Sequence, residues 1–585
     1  MSRKAGKPMT ENAGSGRTIT KRSRYLALLA GSAAVTLGLA AVGPASAASA
    51  SGIRYGGVLH VVMPWTTIPD NFNPLLPGGT GVTAGGTGSA IYENLFFDNV
   101  YTGKLVDMLG TGYKWSDGNK VLTVSVRSGV KWSDGVPFSA KDVAFTFNYI
   151  KKYPALDGTG LWASTSTLKS VSAPNPTTVV FDFSAPDTPL FLTAIVGQKI
   201  VPEHIWSKVT NPVTFTDPHP VGTGPFTLKS YNPTLVAYAK NPGYWMRGKP
   251  YINGFTIEAV KSNNTAELLM LNGDAAMTYD AMTDPAKSYV AAHPAWNHFW
   301  WPVTNLNFLY FNDAKPPFNN VYFRKAVAMA LNDNVIAERA YFGAIPPANG
   351  PVETGVTPGQ LSKWVPSSLR AKEWPYNPSG ALKLLEAHGY KLVNGSLEAP
   401  GGKVLPTFNI LVGAGWSDFI SMAQTIGEEL LPLGIHTSVD QEPYSTYASS
   451  QAYGRYSMMI SWGNGNNATP YFEYYYLLSP TETAPLGKPA TTNWERYTSP
   501  AVTAALRQYS TTSNLAVQKA DMVTIEKDIL ANVPVVPLTG RPNFFDYSTR
   551  YFTGWPTPSN PYNDGNPPDD FSGGAELMYL NVHLK

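Results

Sequence analysis

One stretch, residues 113–150, constrains the fold of this chain more than any other. Leu122, Val124 and Val126 alternate with polar residues, which predicts a strand with one buried face. Residues 127–129, Arg-Ser-Gly, favour a turn, and residues 130–132, Val-Lys-Trp, are expected to return as the partner strand. The pattern therefore predicts a hairpin.

A helix is predicted directly after this hairpin. Ser139 and Asp142 have the spacing of a capping box, in which each side chain accepts a hydrogen bond from the other residue's backbone N–H. An apolar face follows at helical spacing. Its members are Val143, Ala144, Phe147 and Ile150. The hairpin is expected to close onto this amphipathic helix.

The same stretch contains the string V-R-x-G-V-K-W-S-D-G-x-P-F-S-A-x-D-V-x-F-T, and other short motifs accompany it. They are IYENL at 91–95, VGTGPF at 221–226, NPGYW at 241–245 and an R-x-A-x-x-x-A helix at 324–330. This ordered set resembles the family 5 extracellular solute-binding proteins, which serve ABC importers of dipeptides, oligopeptides, nickel and some oligosaccharides. The resemblance covers nearly all of residues 54–545, and it gives the GTGPF and NPxYW motifs a mainly architectural meaning.

The resemblance implies an α/β protein with the two-lobed periplasmic-binding-protein fold, type II, of the peptide-binding cluster. An extra α+β domain is expected within the first lobe. The implied limits are 1–47 for a signal peptide, 53–88 with 219–304 and 536–585 for lobe I, 89–218 for the inserted domain, and 305–535 for lobe II.

The first fifty residues have the order of a secretory signal peptide. Basic residues precede an apolar run at 25–42, and small residues at 45–47 follow it. Cleavage is expected after Ala47, with Ala50 as the alternative site and an uncleaved membrane anchor as the alternative structure. The chain has no cysteine, so a lipid anchor is not expected. The mature protein is predicted to be exported, periplasmic or extracellular.

Charge argues against a nucleic-acid partner. The formal charge is +3, but residues 1–50 contribute seven Lys or Arg and one acid, a surplus of six, which leaves −3 for the remainder. A mildly acidic chain without a basic run is a poor nucleic-acid binder.

The motifs of several enzyme classes are absent from the sequence. It has no His-Glu-x-x-His, no Gly-x-Ser-x-Gly and no cysteine nucleophile. The glycine-rich stretch 78–88 lacks the Gly-Lys-Ser/Thr of a phosphate-binding loop and is predicted to be flexible. A binding protein with no cofactor and no metal is therefore predicted. The alternative from a different class is a secreted glycan hydrolase, since two carboxylates need only meet in space.

Ligand-binding residues are predicted mainly from their positions in the family pattern. Trp416 has an independent argument, because it follows a strand and precedes a helix, and α/β sheets bind ligands at such strand ends. The full set of predicted ligand-binding residues is Trp65, Asn73, Tyr279, Trp416, Tyr444, Trp462 and Asn464.

The ligand class depends on one departure from the family. Peptide-binding members commonly have Trp-x-x-Asp, whose aspartate pairs with the peptide ammonium group, whereas residues 462–465 here read Trp-Gly-Asn-Gly. A buried ammonium without a counter-charge is costly, by several kcal/mol in order of magnitude. Either another acid replaces the aspartate, with Asp440, Glu442 and Glu473 as candidates, or the ligand is uncharged.

An oligopeptide is the leading prediction for the ligand, and an oligosaccharide is the alternative. Amide side chains and tryptophan faces suit sugar hydroxyls and rings. The two lobes are expected to close around the ligand by a hinge motion, and a membrane ABC permease is expected to recognise the closed form. A monomer is predicted.

Overall fold

The computed structural model describes residues 52–64, 67–76, 90–163, 166–348, 363–370, 374–463, 469–565 and 574–585. The predicted signal peptide and the glycine-rich stretch 78–88 therefore lie outside the described residues.

The strands in chain order are β1 Val58–Met63, β2 Phe96–Asn99, β3 Lys104–Asp107, β4 Gly110–Ser116, β5 Val121–Val126, β6 Leu168–Asn175, β7 Thr178–Phe183, β8 Phe226–Asn232, β9 Leu235–Lys240, β10 Gly254–Ala259, β11 Met277–Thr278, β12 Asn297–Phe299, β13 Val303–Phe311, β14 Lys391–Val393, β15 Ser396–Glu398, β16 Phe408–Gly413, β17 Thr437–Glu442, β18 Met458–Trp462, β19 Val535–Pro542, β20 Asp546–Ser548, β21 Phe552–Thr553 and β22 His583–Leu584.

The α-helices in the described ranges are α1 Ala140–Lys152, α2 Glu203–Trp206, α3 Asn263–Asn272, α4 Val321–Ala330, α5 Asp333–Tyr341, α6 Ser367–Arg370, α7 Pro378–Ala387, α8 Ser417–Leu430, α9 Tyr444–Tyr453, α10 Tyr471–Leu478, α11 Pro500–Ser510, α12 Leu515–Asn532 and α13 Gly574–Asn581.

Three larger sheets organise the chain, and each has its own apolar core. The first has the order β12-β20-β11-β1-β10-β9-β8, the second β17-β16-β18-β13-β19 and the third β4-β5-β7-β6. Two short connections, 300–302 and 543–545, join the seven-stranded sheet to the five-stranded one. The predicted domain limits stay a prediction, and β19 pairs with β13 in the five-stranded sheet although residues 536 onward were assigned to lobe I.

The predicted strand at residues 122–126 is confirmed, but its predicted partner is wrong. Strand β5 has its alternate side chains buried and pairs with β4 and β7. Residues 130–138 instead close on themselves, because Phe138 N–H donates to Val130 O at 3.0 Å and Trp132 N–H donates to Val136 O at 2.8 Å. The apolar side chains of this local loop enter the core beside the sheet.

The predicted helix and its capping box are both confirmed. The Ser139 hydroxyl accepts from Lys141 N–H at 3.2 Å, and Ser139 N–H donates to the Asp142 carboxylate at 2.9 Å. The predicted apolar face of α1 is buried. Asp142 has a second function, since it also accepts from Glu203 N–H at 3.2 Å and so ties α1 to the start of α2.

The sequence motifs that are far apart along the chain meet in space. Ser133 N–H donates to Gly222 O at 2.9 Å, and Gly224 N–H donates to Ile91 O at 2.8 Å. A side chain on Gly222 would place its Cβ 1.8 Å from Ile91 O. The glycines of the GTGPF motif therefore permit a backbone approach that a Cβ atom would block.

The NPxYW motif completes this junction. Asn241 Nδ2 donates to Gly224 O at 2.8 Å, while Trp245 Nε1 donates to the buried Glu93 carboxylate at 2.8 Å. The Tyr244 hydroxyl lies 3.0 Å from Glu93 and 3.1 Å from Glu576 of α13. These contacts link the seven-stranded sheet, the four-stranded sheet and the C-terminal helix.

Asp217, buried beside this junction, predicts a pH dependence of stability. Burial raises the pKa of Asp217 to about 7, although the Tyr92 hydroxyl donates to it. The folded-state pKa exceeds the unfolded value near 3.8. The stability from this group is therefore fully present below that lower value and is lost as pH rises toward 7.

Replacing Asp217 with asparagine should remove this pH dependence. Asparagine can still accept the Tyr92 hydrogen bond and tolerates the left-handed backbone at this position, φ +50°. Wild type should lose roughly 2 kcal/mol more than the variant between about pH 5 and pH 8. Thermal unfolding of both proteins at the two pH values measures this, and parallel pH profiles would contradict it.

A crevice between two sheet edges

The candidate site is built from the ends of parallel strands. Strands β16, β17 and β18 run parallel and end at Gly413, Glu442 and Trp462 on one edge of the five-stranded sheet. Strand β13 starts at the same edge and β19 finishes there, because both run antiparallel to their neighbours. Ligands of α/β proteins bind at such an edge.

Aromatic rings cover this edge. Trp416 and Trp462 are both partly exposed, and their ring centroids lie 5.6 Å apart. Tyr447 supports Trp416 at 5.1 Å, and a Cβ on Gly413 would lie 2.3 Å from the Trp416 ring. Gly413 thus lets the Trp416 ring lie directly on the strand end, which fixes one wall of the crevice.

The crossing strands add polar groups beside this wall. Arg541 and Asn305 are paired across β19 and β13. The Arg541 guanidinium lies 4.9 Å from the centre of the Trp462 ring, and Asn305 Nδ2 donates to Gly463 O at 2.7 Å. A cation, an amide and two tryptophan faces are therefore held on neighbouring strands.

The facing wall comes from the seven-stranded sheet. Tyr279 follows β11, and its ring lies 5.7 Å from that of Phe544, which in turn lies 5.0 Å from Trp301. Trp301 Nε1 donates to Asp546 at 3.1 Å. Phe544 and Trp301 belong to the two connections between the sheets, so this wall continues into the crossing segments.

Two carboxyls are buried behind this second wall. Burial, and then the charge of Glu267, raises the pKa of Asp280 to about 7, and burial with repulsion from Asp280 raises that of Asp546 well above its usual range. Because each acid disfavours ionisation of the other, the pair carries less negative charge at neutral pH than two free aspartates would.

A cavity of about 190 Å³ lies between elements of the two sheets. Residues 281–283 and Trp301 line one side of it, and Tyr341, Ser417 and Asp418 line the other. The Tyr341 hydroxyl donates to Asp418 at 3.0 Å. Burial raises the pKa of Asp418.

A wider crevice of about 800 Å³ lies where the β2–β4 region faces helical segments of the chain. Its lining includes the rings of Phe96, Tyr113 and Trp364 together with Lys104 and Lys519. Thr469 also lines it, seven residues beyond Trp462. Its volume is within the range of small-molecule sites.

The structure brings two of the predicted ligand-binding residues into contact with each other. Trp416 and Trp462 share one wall, and Tyr279 lies against Phe544 on the side of the seven-stranded sheet. Trp65 and Asn464 lie outside the described residues, as does the side chain of Tyr444, whose backbone starts α9. The ligand contacts of all of these remain predictions.

Asn73 has a different environment. Its side chain is fully buried, its Nδ2 donates to Pro212 O at 2.9 Å and Phe215 O at 2.8 Å, and its Oδ1 accepts from Leu75 N–H at 2.9 Å. In this structure both amide hydrogens bond the protein itself, so Asn73 organises its loop.

Sequence reasoning did not identify Arg541, Asn305, Phe544 or Trp301 as site residues. Their positions depend on β13 and β19, which lie more than two hundred residues apart in the chain and are adjacent in the sheet. The available signal was the polar Arg541 at the end of an apolar strand.

The acids considered as substitutes for the missing aspartate differ in their placement. Asp440 accepts from Asn409 Nδ2 at 2.9 Å, and Glu442 is half-buried at the end of β17. Glu473 on α10 is fully buried directly behind Gly463, since a Cβ on Gly463 would lie 2.2 Å from Glu473 Oε1.

Replacing Gly463 with alanine should therefore destabilise this edge. The Cβ would also lie 2.6 Å from Asn305 Oδ1, so neither neighbour leaves space. Overpacking of this kind costs about 1–3 kcal/mol. Unfolding of G463A, E473A and the double variant measures it. The double variant should lose less stability than the sum of the two single variants, and additive losses would contradict the predicted clash.

Comparison with known proteins places this chain among solute-binding proteins. Residues 104–485 match the description "Bacterial extracellular solute-binding proteins, family 5 Middle". Glutathione-binding protein GsiB of Salmonella typhi is 26% identical over 296 residues, which cover 49% of this chain and 54% of GsiB. The chain thus spans about half the length of this curated relative.

Solved structures extend the likeness to nearly the whole fold. A periplasmic oligopeptide-binding protein of an ABC transporter from Thermotoga maritima matches with a TM-score of 0.82 at 25% identity, covering 90% of this chain and 99% of that one. The mannohexaose-bound form of an oligopeptide-binding protein from the same organism matches with a TM-score of 0.77 at 25% identity, covering 90% and 98%. The predicted two-lobed α/β fold is confirmed by this likeness. None of the helices in the described ranges combines the length and apolar character that a membrane crossing requires.

Proposed function

The chain belongs to family 5 of the bacterial extracellular solute-binding proteins, and from that premise we propose that it captures an oligopeptide for an ABC importer. The solute enters the crevice between the five-stranded and seven-stranded sheets. The observation that carries this proposal is the Trp416–Trp462 pair at the strand ends, beside a cavity that residues 281–283 and Trp301 line together with Ser417 and Asp418.

The two connections between the sheets support a hinge. Residues 300–302 and 543–545 are short and adjacent, and each leads directly into a strand that borders the crevice. A solute that contacts both walls binds the closed form more tightly than the open form and so favours closure. The closed protein then presents its cargo to a membrane permease. The protein is exported, acts as a monomer and has no lipid anchor in this proposal.

An oligosaccharide is the second candidate solute. The partly exposed tryptophan faces suit sugar rings, and the position of the family aspartate is a glycine, Gly465. The mannohexaose-bound relative supports this alternative. The solute is not chemically altered in either case, which separates this function from that of a glycan hydrolase.

Mass spectrometry of solute that co-purifies from the native host tests the proposal. A thermal-shift screen that compares short peptides with mannohexaose and cello-oligosaccharides is the second test, because a bound solute raises the melting temperature of the protein by mass action. Shifts with peptides are expected. Shifts with sugars alone would favour the second candidate, and turnover of a sugar by the pure protein would overturn both.

A further inference from the structure

Arg541 differs from other partly or fully buried arginines of this protein. Arg324 donates to three backbone carbonyls, Phe318 O, Asn532 O and Val533 O. Arg496 likewise donates to Trp494 O and Ala452 O. Arginine has five N–H donors, and burial normally requires that they find acceptors.

Arg541 has no such acceptors among the described residues. It is half-buried, no carboxylate there lies within 4.0 Å of its guanidinium, and no side-chain hydrogen bond to it is present in that part of the chain. Its contact is the face of Trp462, at 4.9 Å. Within the described part of the chain, the guanidinium is therefore positioned by stacking, and its N–H groups have no acceptor there.

The charges of the described residues around Arg541 compensate its positive charge incompletely. Asp418 is near enough for Arg541 to lower its pKa, but that carboxyl already accepts from the Tyr341 hydroxyl at 3.0 Å. On the facing wall, burial raises the pKa of Asp280 to about 7, and Asp546 accepts from Trp301. The crevice thus contains a permanent cation beside acids that are bonded or reluctant to ionise.

We propose that Arg541 receives a carboxylate of the bound solute, with the adjoining part of the solute against the Trp462 ring. This inference rests on the proposed function and narrows its solute class. The planar guanidinium matches a carboxylate in two parallel hydrogen bonds, and such charge-assisted pairs are stronger than neutral ones. The carboxylate comes from a peptide C-terminus or from a uronic-acid sugar.

The test compares matched ligands on matched variants. Wild type, R541Q and R541K are titrated with a pentapeptide mixture as free acids, with the same mixture as C-terminal amides, with trigalacturonate and with its methyl ester. R550Q is the control, since Arg550 also lies over a tryptophan, at 5.8 Å from Trp296, which precedes the edge strand β12 of the seven-stranded sheet.

We expect wild type to prefer the acid of one pair. R541Q should weaken binding of that acid by about 10- to 100-fold and leave the amide or ester unchanged. R541K should weaken the acid less, because it keeps the charge and loses the paired geometry. R550Q should match wild type. The pair that shows the preference identifies the source of the carboxylate.

Two results would overturn the inference and can be told apart. If R541Q weakens binding of the acid and of the amide equally, Arg541 supports the Trp462 ring and does not bind a carboxylate. If wild type binds these ligands without preferring the acid, the inferred contact between Arg541 and a carboxylate is wrong, and the proposed function still holds. If neither these probes nor the screen of peptides and neutral sugars bind wild type, the proposed function itself fails.

Discussion

Replacing Gly222 with alanine should destabilise this protein more than the same replacement at Gly463 or Gly243. The added Cβ would lie 1.8 Å from Ile91 O and 2.5 Å from Ile91 C, both backbone atoms. Overpacking against side chains costs about 1–3 kcal/mol, and a backbone obstacle cannot be relieved by a rotamer change. We expect a loss of about 3 kcal/mol or more.

The large expected loss of stability in G222A has a structural reason, because several segments of the chain meet at Gly222. Its carbonyl accepts from Ser133, and two residues on, Gly224 N–H donates to Ile91 O. Moving the backbone to relieve the clash therefore strains hydrogen bonds to two other motifs. The effect should extend through the contact between the seven-stranded and four-stranded sheets.

Soluble yield and thermal unfolding of G222A measure this effect. The matched control is G243A, in the neighbouring NPxYW motif, where the Cβ would meet only Asn241 Oδ1, at 3.4 Å, and no positive φ is required. G243A should melt near wild type, whereas G222A should melt several degrees lower or fail to accumulate. A melting temperature for G222A equal to that of G243A would contradict the prediction.

The elements that sequence predicts well here are those determined by local pattern. Alternation identified β5, and capping chemistry with an apolar face identified α1. Asn377 likewise caps α7, with Pro378 in its first turn. In each case the deciding interactions lie within a few residues, so the sequence contains them directly.

The features that the sequence did not reveal are contacts between distant segments. Residues 130–132 have strand-forming side chains, but β7 already occupies the edge of β5 that they would need. The residues near Asn73 in the sequence do not indicate its hydrogen-bond partners, because its side-chain amide donates to carbonyls about 140 positions away. Arg541 is identified as a site residue only from the pairing of β19 with β13, which places it beside Asn305. Sheet order therefore decides the placement of residues 130–132 and of Arg541, and no short pattern encodes it.

The architectural reading of the family motifs depends on both kinds of information. Their glycines and asparagine were recognisable as turn residues, yet the structure shows why they occur together. Gly224 bonds Ile91 through its N–H and Asn241 through its carbonyl. One junction thus explains three motifs, and the tryptophan wall that we assign to the solute is built from other residues.

Truncating Trp462 to alanine should produce the largest loss of solute affinity. Its partly exposed ring contacts Trp416 at 5.6 Å and Arg541 at 4.9 Å, so it is the central member of the wall. Buried aromatic anchors at binding sites commonly contribute 2 kcal/mol or more. We expect the dissociation constant for the co-purified solute to rise by about 30- to 100-fold, measured by calorimetric titration.

The control for W462A is W296A. Trp296 is also partly exposed, stacks on His293 at 4.9 Å and has Arg550 over its ring at 5.8 Å, but it precedes β12, whose other end leads into the connection 300–302. W296A should bind as wild type does, while both variants lose comparable packing. Because the Trp462 ring contacts the solute whatever its charge, W462A should weaken both acidic and neutral solutes, unlike R541Q. Unchanged affinity in W462A would move the solute site away from the edge of the five-stranded sheet.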